Sequence, residues 1–316
     1  MAKSRRILVT GGAGFIGHHL VTKLLEDPDC RITIIDNLSN DRSKKRLKDL
    51  PPSVAFYEED IRNRQAVSDI VKREGAHACI HLAAKISVVD SIRNPAETID
   101  VNVNGTLSVL EACANNGVQA FVLASSAAVY GDADVVPTPE DCVLDPLSPY
   151  GASKVSGEAL VASYKNSGKI PKAISLRFFN VYGRGQSPEY AGVITKFAER
   201  LSKKQPPVIY GDGQQTRDFI HVSDVVHGAM LATNSGVSGV FNIGTGKPTS
   251  IDYLARKMIN IHGLDVKPIC SSAEKGDIRH SCANTDRSLR GLRFAAHQDI
   301  DSALRMMYDH HGSVAT

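Results

Sequence analysis

Through roughly the first 180 residues, short apolar runs alternate with longer segments of helical period, and few folds accommodate that alternation. The runs Arg6–Thr10, Arg31–Asp36, Val54–Tyr57, His77–Leu82, Ala120–Ala124 and Lys172–Arg177 have the length and composition of strands. Between them, Phe15–Leu25, Gln65–Arg73, Thr98–Asn115 and Tyr150–Lys165 repeat apolar residues every three or four positions, as helices packed on one side do. Strands alternating with helices at this spacing form a parallel sheet covered on both faces. The expected fold class is therefore α/β, a doubly wound parallel sheet. Beyond about residue 180, turn-rich pieces such as Tyr182–Pro188 and Tyr210–Gln215 separate shorter elements, the texture of a smaller C-terminal α/β lobe. The expected division is 1–180 for the main sheet and 181–316 for the lobe, with some later segments returning to the sheet.

Composition narrows the function classes. At 316 residues, with 42% hydrophobic and 22% charged content, the chain can bury a large core. A formal net charge of +3 is too small for the basic stripe that nucleic-acid binding needs, so no nucleic-acid partner is expected. Cys30, Cys79, Cys113, Cys142, Cys270 and Cys282 are scattered without metal-ligand spacing, so they read as reduced thiols and no metal is expected. The basic start is followed by only Ile7–Val9 before Thr10, and no apolar run approaches the ~18 residues of a membrane span. A cytoplasmic protein without a membrane partner is the expectation.

Thr10-Gly-Gly-Ala-Gly-Phe-Ile-Gly17 follows the first strand and opens the first helix, the setting in which such glycines bind phosphate. The early glycines allow a tight turn and close approach of backbone N–H groups to a pyrophosphate. The last lets helix pack on strand, and the helix N-terminus adds a favourable dipole. A purely structural turn is the competing reading. The second strand ends in Asp36, about 20 residues on, where a carboxylate accepts from a ribose 2′-hydroxyl and repels a 2′-phosphate. NAD is thereby favoured over NADP, and the sheet is expected to be Rossmann-like. Asp36 could instead cap the following loop, and Arg42, Lys44 and Lys45 weigh the other way.

Tyr150 and Lys154 stand four apart and share a helix face, where an ammonium near a phenol lowers its pKa. With a cationic nicotinamide close by, the tyrosine can serve as a general base near neutral pH. Tyr253 and Lys257 have the same spacing in what reads as a surface helix, so context has to separate the pairs. Ser125 and Ser126 leave the end of an apolar strand, at the carboxyl edge where open α/β sheets place ligands.

Taken in order, TGGAGFIG at 10–17, Asp36-Asn37, Asp60-Ile61, His81–Ala84, Asn102–Thr106, SSAAVYG at 125–131, YGASK at 150–154, Arg177–Asn180, Tyr210–Gly213, Thr216–Phe219 and Gly276–Ser281 resemble the extended short-chain dehydrogenase/reductases. The resemblance is to nucleotide-sugar 4-epimerases of the UDP-glucose 4-epimerase type and covers nearly the whole chain. It implies Ser126, Tyr150 and Lys154 as catalytic residues. Cofactor contacts are implied for Gly11, Gly14, Phe15, Ile16, Gly17, Asp36, Asn37, Asp60, Ile61, Leu82, Ala83, Ala84 and Phe179, with Asn102 holding the active-site helix and Lys154 reaching the nicotinamide ribose. Substrate contacts are implied for Ser87, Ser126, Asn180, Val193, Arg217 and Asp277, with Asn180 and Arg217 on the diphosphate and Asp277 near the nucleoside ribose.

The implied reaction removes the C4 hydroxyl proton and passes the C4 hydride to NAD, and the hydride returns after the sugar turns, so C4 inverts without net redox. The related nucleotide-sugar 4,6-dehydratases place Asp-Glu where this chain has Ala127 and Ala128, and alanine supplies no acid or base. A non-catalytic NAD-binding regulator is the alternative from another class, opposed by the joint presence of Ser126, Tyr150 and Lys154. Ser281 aligns where some relatives carry a bulky tyrosine and would leave room for an N-acetyl group. It reads equally as an ordinary strand residue. Many relatives carry an arginine before the late Gly-Asp; here the sequence is Ala273-Glu-Lys-Gly276, and Lys275 or Arg279 could compensate. A homodimer through Thr98–Asn115 and Tyr150–Lys165 is expected, although the parent sheet could cover the same faces.

Overall fold

A computed structural model of the protein describes residues 5–186, 192–273 and 278–309. Its strands, in chain order, are β1 (Arg5–Thr10), β2 (Cys30–Asp36), β3 (Ala55–Glu58), β4 (Ala78–His81), β5 (Ala120–Ser126), β6 (Lys172–Phe178), β7 (Asn180–Tyr182), β8 (Val208–Tyr210), β9 (Thr216–His221), β10 (Gly239–Ile243), β11 (Pro248–Ser250), β12 (Ile269–Ser271) and β13 (His280–Ser281). Seven form one sheet in the order β10-β6-β5-β4-β1-β2-β3, every pairing parallel. The direction of winding reverses between β1 and β4, and such a reversal opens a crevice at the carboxyl ends of the strands.

The sheet is buried on both faces, with successive strand residues pointing to opposite sides. Ile7 and Val9 of β1 join a core with Leu20, Val21 and Leu24 of helix Phe15–Leu24 and with Val225, Val226 and Ala229 of helix Val222–Asn234. Leu8 joins the opposite core, with Val67 and Ile70 of helix Arg64–Glu74, Val109 and Leu110 of helix Thr106–Asn115, and Val161 of helix Pro149–Asn166. Each strand predicted in the first 180 residues is present within two residues at either end.

The long helix predicted over 98–115 is instead three consecutive pieces. Helix Pro95–Ile99 runs into one π-type turn over Asp100–Gly105 and then into Thr106–Asn115. A Cβ on Gly105 would lie 2.6 Å from Ile61 Cδ1, so the widened turn packs closely against the Ile61 side chain. Helix Asp41–Lys48 has no apolar face and gave no periodic signal, although Asn40 caps it by accepting from the Arg42 N–H.

Past β6 the chain builds a second layer. β7 and β13 both pair with β9 in parallel, β11 pairs with β9 antiparallel, and β8 pairs with β12. Tyr182, Phe197, Phe219, Leu254, Met258 and Leu304 form its core. Residues from the same stretch also return to the main sheet: β10 lies parallel beside β6, with Gly239 opposite Ile174 and Ile243 opposite Phe178.

Candidate active site

A cavity of about 920 Å³ opens at the carboxyl ends of β1, β2, β4 and β5 and extends to the second layer. That is the upper end of the usual range for ligand sites, enough for more than one small molecule. Its walls include the glycine loop, the end of β2, the segment after β4, the end of β5 and the start of helix Pro149–Asn166.

Gly11 holds the turn after β1 with φ +70°, and a Cβ there would lie 2.7 Å from the Ala83 nitrogen. A Cβ on Gly17 would lie 2.2 Å from the Gly11 carbonyl oxygen, so helix Phe15–Leu24 approaches the loop as closely as a hydrogen atom permits. No side chain caps this helix at Gly14. The N–H groups of Phe15, Ile16 and Gly17 therefore face the cavity without intrahelical acceptors, an arrangement that fits a pyrophosphate. Asp36 is buried at the end of β2 and accepts from the N–H groups of Ala13 (3.0 Å) and Leu38 (2.9 Å). Burial pushes its carboxyl pKa up, and the two N–H donors oppose that shift. Asn37 donates to Asp60 at 3.1 Å, while the Arg62 guanidinium beside Asp60 holds that carboxyl down at about 2.

Three side chains of the β1–β2 region grip consecutive carbonyls of the segment after β7. His19 Nε2 lies 3.0 Å from the Arg184 oxygen, Arg46 donates to the Gly185 oxygen, and Arg42 donates to the Gln186 oxygen at 2.8 Å. The other arm of Arg46 reaches the Ala13 carbonyl at 3.2 Å. Arg46 and Gln186 line the same cavity as the glycines, so this strap ties the second layer to the phosphate loop.

The proton-handling residues meet where β5 ends. Ser148 caps helix Pro149–Asn166 by accepting from the Gly151 N–H at 3.1 Å, and Pro149 occupies its first turn. A Cβ on Gly151 would lie 2.5 Å from the Ala128 carbonyl oxygen, so the helix start abuts the turn that follows Ser126. Tyr150 and Ser126 are consequently brought together, and the Ser126 hydroxyl acts on the phenol to hold its pKa down. Lys154 is buried one turn along, with Nζ 5.8 Å from the Tyr150 ring centroid and donating to the Ala124 carbonyl at 2.8 Å. Burial lowers its pKa to about 8, and Glu158 opposes that shift.

Tyr150 departs from expectation. Burial raises its pKa, and Ser126 opposes the rise. A cationic cofactor ring bound in this cavity would favour the phenolate. His81, buried between Thr10 (2.6 Å) and Thr106 (2.9 Å), is held neutral, its pKa depressed to about 3 by burial and by Lys154.

Gly11, Gly14, Phe15, Ile16, Gly17, Asp36, Asn37, Asp60, Ile61, Leu82, Ala83, Ala84, Ser126, Tyr150, Lys154 and Phe179 all line this one cavity, as do Ser87, Asn180 and Val193. Asn102 does not. It is buried behind the wall, donating to the Lys85 carbonyl and to Ser153 Oγ (both 2.9 Å) and accepting from the Lys85 N–H at 2.8 Å. Arg217 stands on β9 outside the lining and donates to the Thr216 carbonyl at 2.8 Å. Ser281 is paired beside it on β13, also outside the lining. Asp277 and Lys275 lie outside the described residues. Arg279 is committed to a forked pair with Asp212 at 2.7 and 2.9 Å. The Tyr253–Lys257 pair sits away from the cavity, with both side chains directed at Asp301.

Sequence reasoning passed over what lies beneath Ser126. Glu158 accepts from Ser125 Oγ at 2.5 Å and forms a forked pair with Arg177, Nε at 2.9 Å and Nη2 at 2.7 Å. Arg177 Nη1 reaches the Tyr130 hydroxyl (2.9 Å) and the Glu140 carbonyl (2.8 Å), and Tyr130 donates to Asn242 at 2.6 Å. These partners are up to 112 residues apart in sequence, and no local pattern joins them.

Comparison with known proteins agrees with this geometry. The family described as NAD dependent epimerase/dehydratase matches residues 7–244. A Methanocaldococcus jannaschii protein provisionally named UDP-glucose 4-epimerase is 42% identical over 274 residues, 86% of this chain and 87% of that one. The crystal structure of the Thermotoga maritima UDP-glucose 4-epimerase with UDP-glucose superposes with a TM-score of 0.92 at 34% identity, covering 98% of this chain and all of that one. The UDP-N-acetylglucosamine 4-epimerase of Methanobrevibacter ruminantium, in complex with UDP-N-acetylmuramic acid, gives 0.89 at 33% identity over 98% and 99% of the two chains. Shared sequence over most of the chain, the seven-stranded sheet and the NAD-shaped loop lead to one conclusion: the chain belongs to the NAD dependent epimerase/dehydratase family.

Proposed function

We propose that the protein inverts C4 of UDP-glucose and UDP-galactose through a 4-keto sugar, using NAD that stays bound. The observation that carries this reading is the meeting of Ser126, Tyr150 and Lys154 in the cavity that also holds the glycine loop and Asp36. Gly11, Gly14 and the N–H groups of Phe15, Ile16 and Gly17 would hold the pyrophosphate, Asp36 and Asn37 the adenosine ribose, and Asp60 and Ile61 the adenine. Leu82, Ala83, Ala84 and Phe179 would flank the nicotinamide side. NAD, when bound there, would supply the hydride acceptor and donor for C4.

Tyr150 takes the C4 hydroxyl proton, with Ser126 sharing the hydrogen bond and Lys154 supplying positive charge beneath the ring. The same phenol gives the proton back when C4 is reduced. Ser87, Asn180 and Val193, which line the cavity, would contact the substrate, with Arg217 of β9 toward the nucleotide. Dehydration is disfavoured because Ala127 and Ala128 follow Ser126 and carry no acid or base. Of the cations lining the cavity, Lys85 is paired with Glu97 at 2.8 Å and Arg93 with Asp90 at 3.8 Å, which favours a neutral hexose over a uronic acid. A cytoplasmic homodimer, joined through helices Thr106–Asn115 and Pro149–Asn166, completes the proposal, and light scattering of the purified protein tests the dimer.

The experiment is incubation of the protein with UDP-glucose, and separately with UDP-N-acetylglucosamine, without added cofactor, following C4 by NMR. The galacto product is expected with UDP-glucose and is absent for Tyr150→Phe. Conversion of the N-acetyl sugar would extend the substrate range. Failure to invert either sugar after NAD is added overturns the proposal for these substrates, and a 4-keto-6-deoxy product replaces it with dehydration.

A further inference from the structure

We propose that Glu158 is a positioning residue for the reaction, fixing the strand that ends in Ser126 to the helix that carries Tyr150 and Lys154. The inference rests on the C4-oxidation reading above.

Glu158 lies one turn beyond Lys154 on the same helix face and is 6% exposed, while Arg177, its partner on β6, is 3% exposed. Taking both charges out of water costs several kcal/mol each, and such pairs often add little net stability compared with apolar residues of the same volume. A fold that needed only a filled core would not require them here. Their geometry provides a brace. Lys154 donates to the carbonyl of Ala124, and Glu158 accepts from the hydroxyl of the next residue, Ser125, so two adjacent residues of β5 are tied to one helix face. Ser126 is the residue that follows, and it meets Tyr150 at the other end of that face.

Arg177 holds both carboxylate oxygens of Glu158 and extends the brace through Tyr130 to Asn242 on β10. Neither Glu158 nor Arg177 lines the cavity, so they act through their neighbours. The Glu158 charge also faces Lys154. The groups around that ammonium are Tyr150 and Glu158 on its own helix, neutral His81 from β4, the Ala124 carbonyl from β5 and, behind Glu158, Arg177 from β6. Glu158 is the only anion in this set.

The test compares wild type, Glu158→Gln and Ser125→Ala, each isolated with NAD, in steady-state UDP-hexose inversion across pH. In Glu158→Gln, kcat should fall about tenfold or more while KM and NAD content stay within about twofold. The alkaline limb of its kcat profile should move to lower pH, because Lys154 loses the neighbour that favours its charged form. Ser125→Ala should lower kcat severalfold and leave the limb in place. If Glu158→Gln does not fold, Ser125→Ala alone decides, and wild-type kcat in that variant overturns the proposal. A folded Glu158→Gln with wild-type kcat and profile overturns it as well. Wild type inert on every UDP-hexose refutes the functional reading on which the proposal rests, and active wild type beside unaffected variants refutes the brace alone.

Discussion

Two glycines on helices, Gly17 and Gly157, should respond to alanine with opposite signs. In a helix interior alanine is favoured over glycine by about 1 kcal/mol, so helix propensity alone predicts that both substitutions stabilise. The structure separates them. A Cβ on Gly157 meets only Leu123 Cδ2 at 3.4 Å, an ordinary contact, so Gly157→Ala should gain about 0.5–1 kcal/mol. A Cβ on Gly17 would sit 2.2 Å from the Gly11 oxygen, 2.7 Å from Gly12 Cα and 2.9 Å from the Gly12 carbonyl carbon. All three are backbone atoms, and relief requires the helix to move off the loop by more than 1 Å. Overpacking of that kind costs about 1–3 kcal/mol, and with backbone on both sides we place the net loss at about 2–3 kcal/mol. For a chain of this size each kcal/mol moves Tm by about 2–4 °C, which gives a fall of about 4–12 °C for Gly17→Ala and a rise of about 1–4 °C for Gly157→Ala. Thermal unfolding by circular dichroism, at one scan rate and with NAD content matched by assay, reads both, since bound cofactor itself raises Tm. Gly17→Ala should also lose NAD on gel filtration. A Gly17→Ala protein as stable as wild type and still loaded with NAD would refute the claim that helix and loop are in backbone contact.

Tyr150→Phe should lower kcat by about 10²–10⁴-fold with NAD content unchanged, read by the NMR assay, and a residual rate above a tenth of wild type would remove the tyrosine as the proton carrier. Inversion by wild type should fall as pH rises through about 8, where Lys154 loses its proton: its ammonium is depressed from the usual lysine value by burial, so the charged form dominates below that pH and disappears above it. Asp36→Ser should weaken NAD binding about tenfold and allow NADP to compete, because the carboxylate that repels a 2′-phosphate is gone while Arg46 remains in the same wall; calorimetry with each nucleotide decides. Arg46→Ala should release NAD about tenfold faster or more, measured by nucleotide content after timed desalting, since the variant loses charge-assisted bonds to both Ala13 and Gly185. Arg177→Met should destabilise by about 3–5 kcal/mol in urea unfolding by stranding Glu158, and adding Glu158→Leu should restore most of that loss.

The main sheet was legible because its signals are local. Apolar runs of strand length and helical stripes repeat at fixed periods, and the glycine loop sits between them. The π-type turn at Asp100–Gly105 escaped because one wider turn barely disturbs a helical stripe, and its close neighbour Ile61 is some 40 residues away. Ser126, Tyr150 and Lys154 could be named from motifs, yet the reason Tyr150 meets Ser126 is the approach of Gly151 to Ala128, which depends on how a helix docks against a turn. Ser125 was set aside in favour of its neighbour, and it holds the buried carboxylate of Glu158. Asn102, expected to hold the active-site helix, bonds Ser153 on that helix and also Lys85 behind the cavity wall, which motif spacing does not specify. Each of these turned on contacts between residues far apart in sequence, which composition and spacing do not encode.

The late return of β10 to the main sheet bears on how the protein can be made. Every residue from Gly11 to Lys154 has been synthesised before position 180, yet the sheet that carries them is completed by residues 239–243. A nascent chain stopped before that point leaves β6 as an open edge, with Ile174, Leu176 and Phe178 stripped of the neighbours that Val225, Phe241, Ile243 and Phe294 later supply. The first 180 residues are therefore not a cassette that can be cut out and grafted elsewhere. Folding must wait for pairing across 65 residues, a slow class of contact that leaves the unfinished edge open to other chains in the meantime.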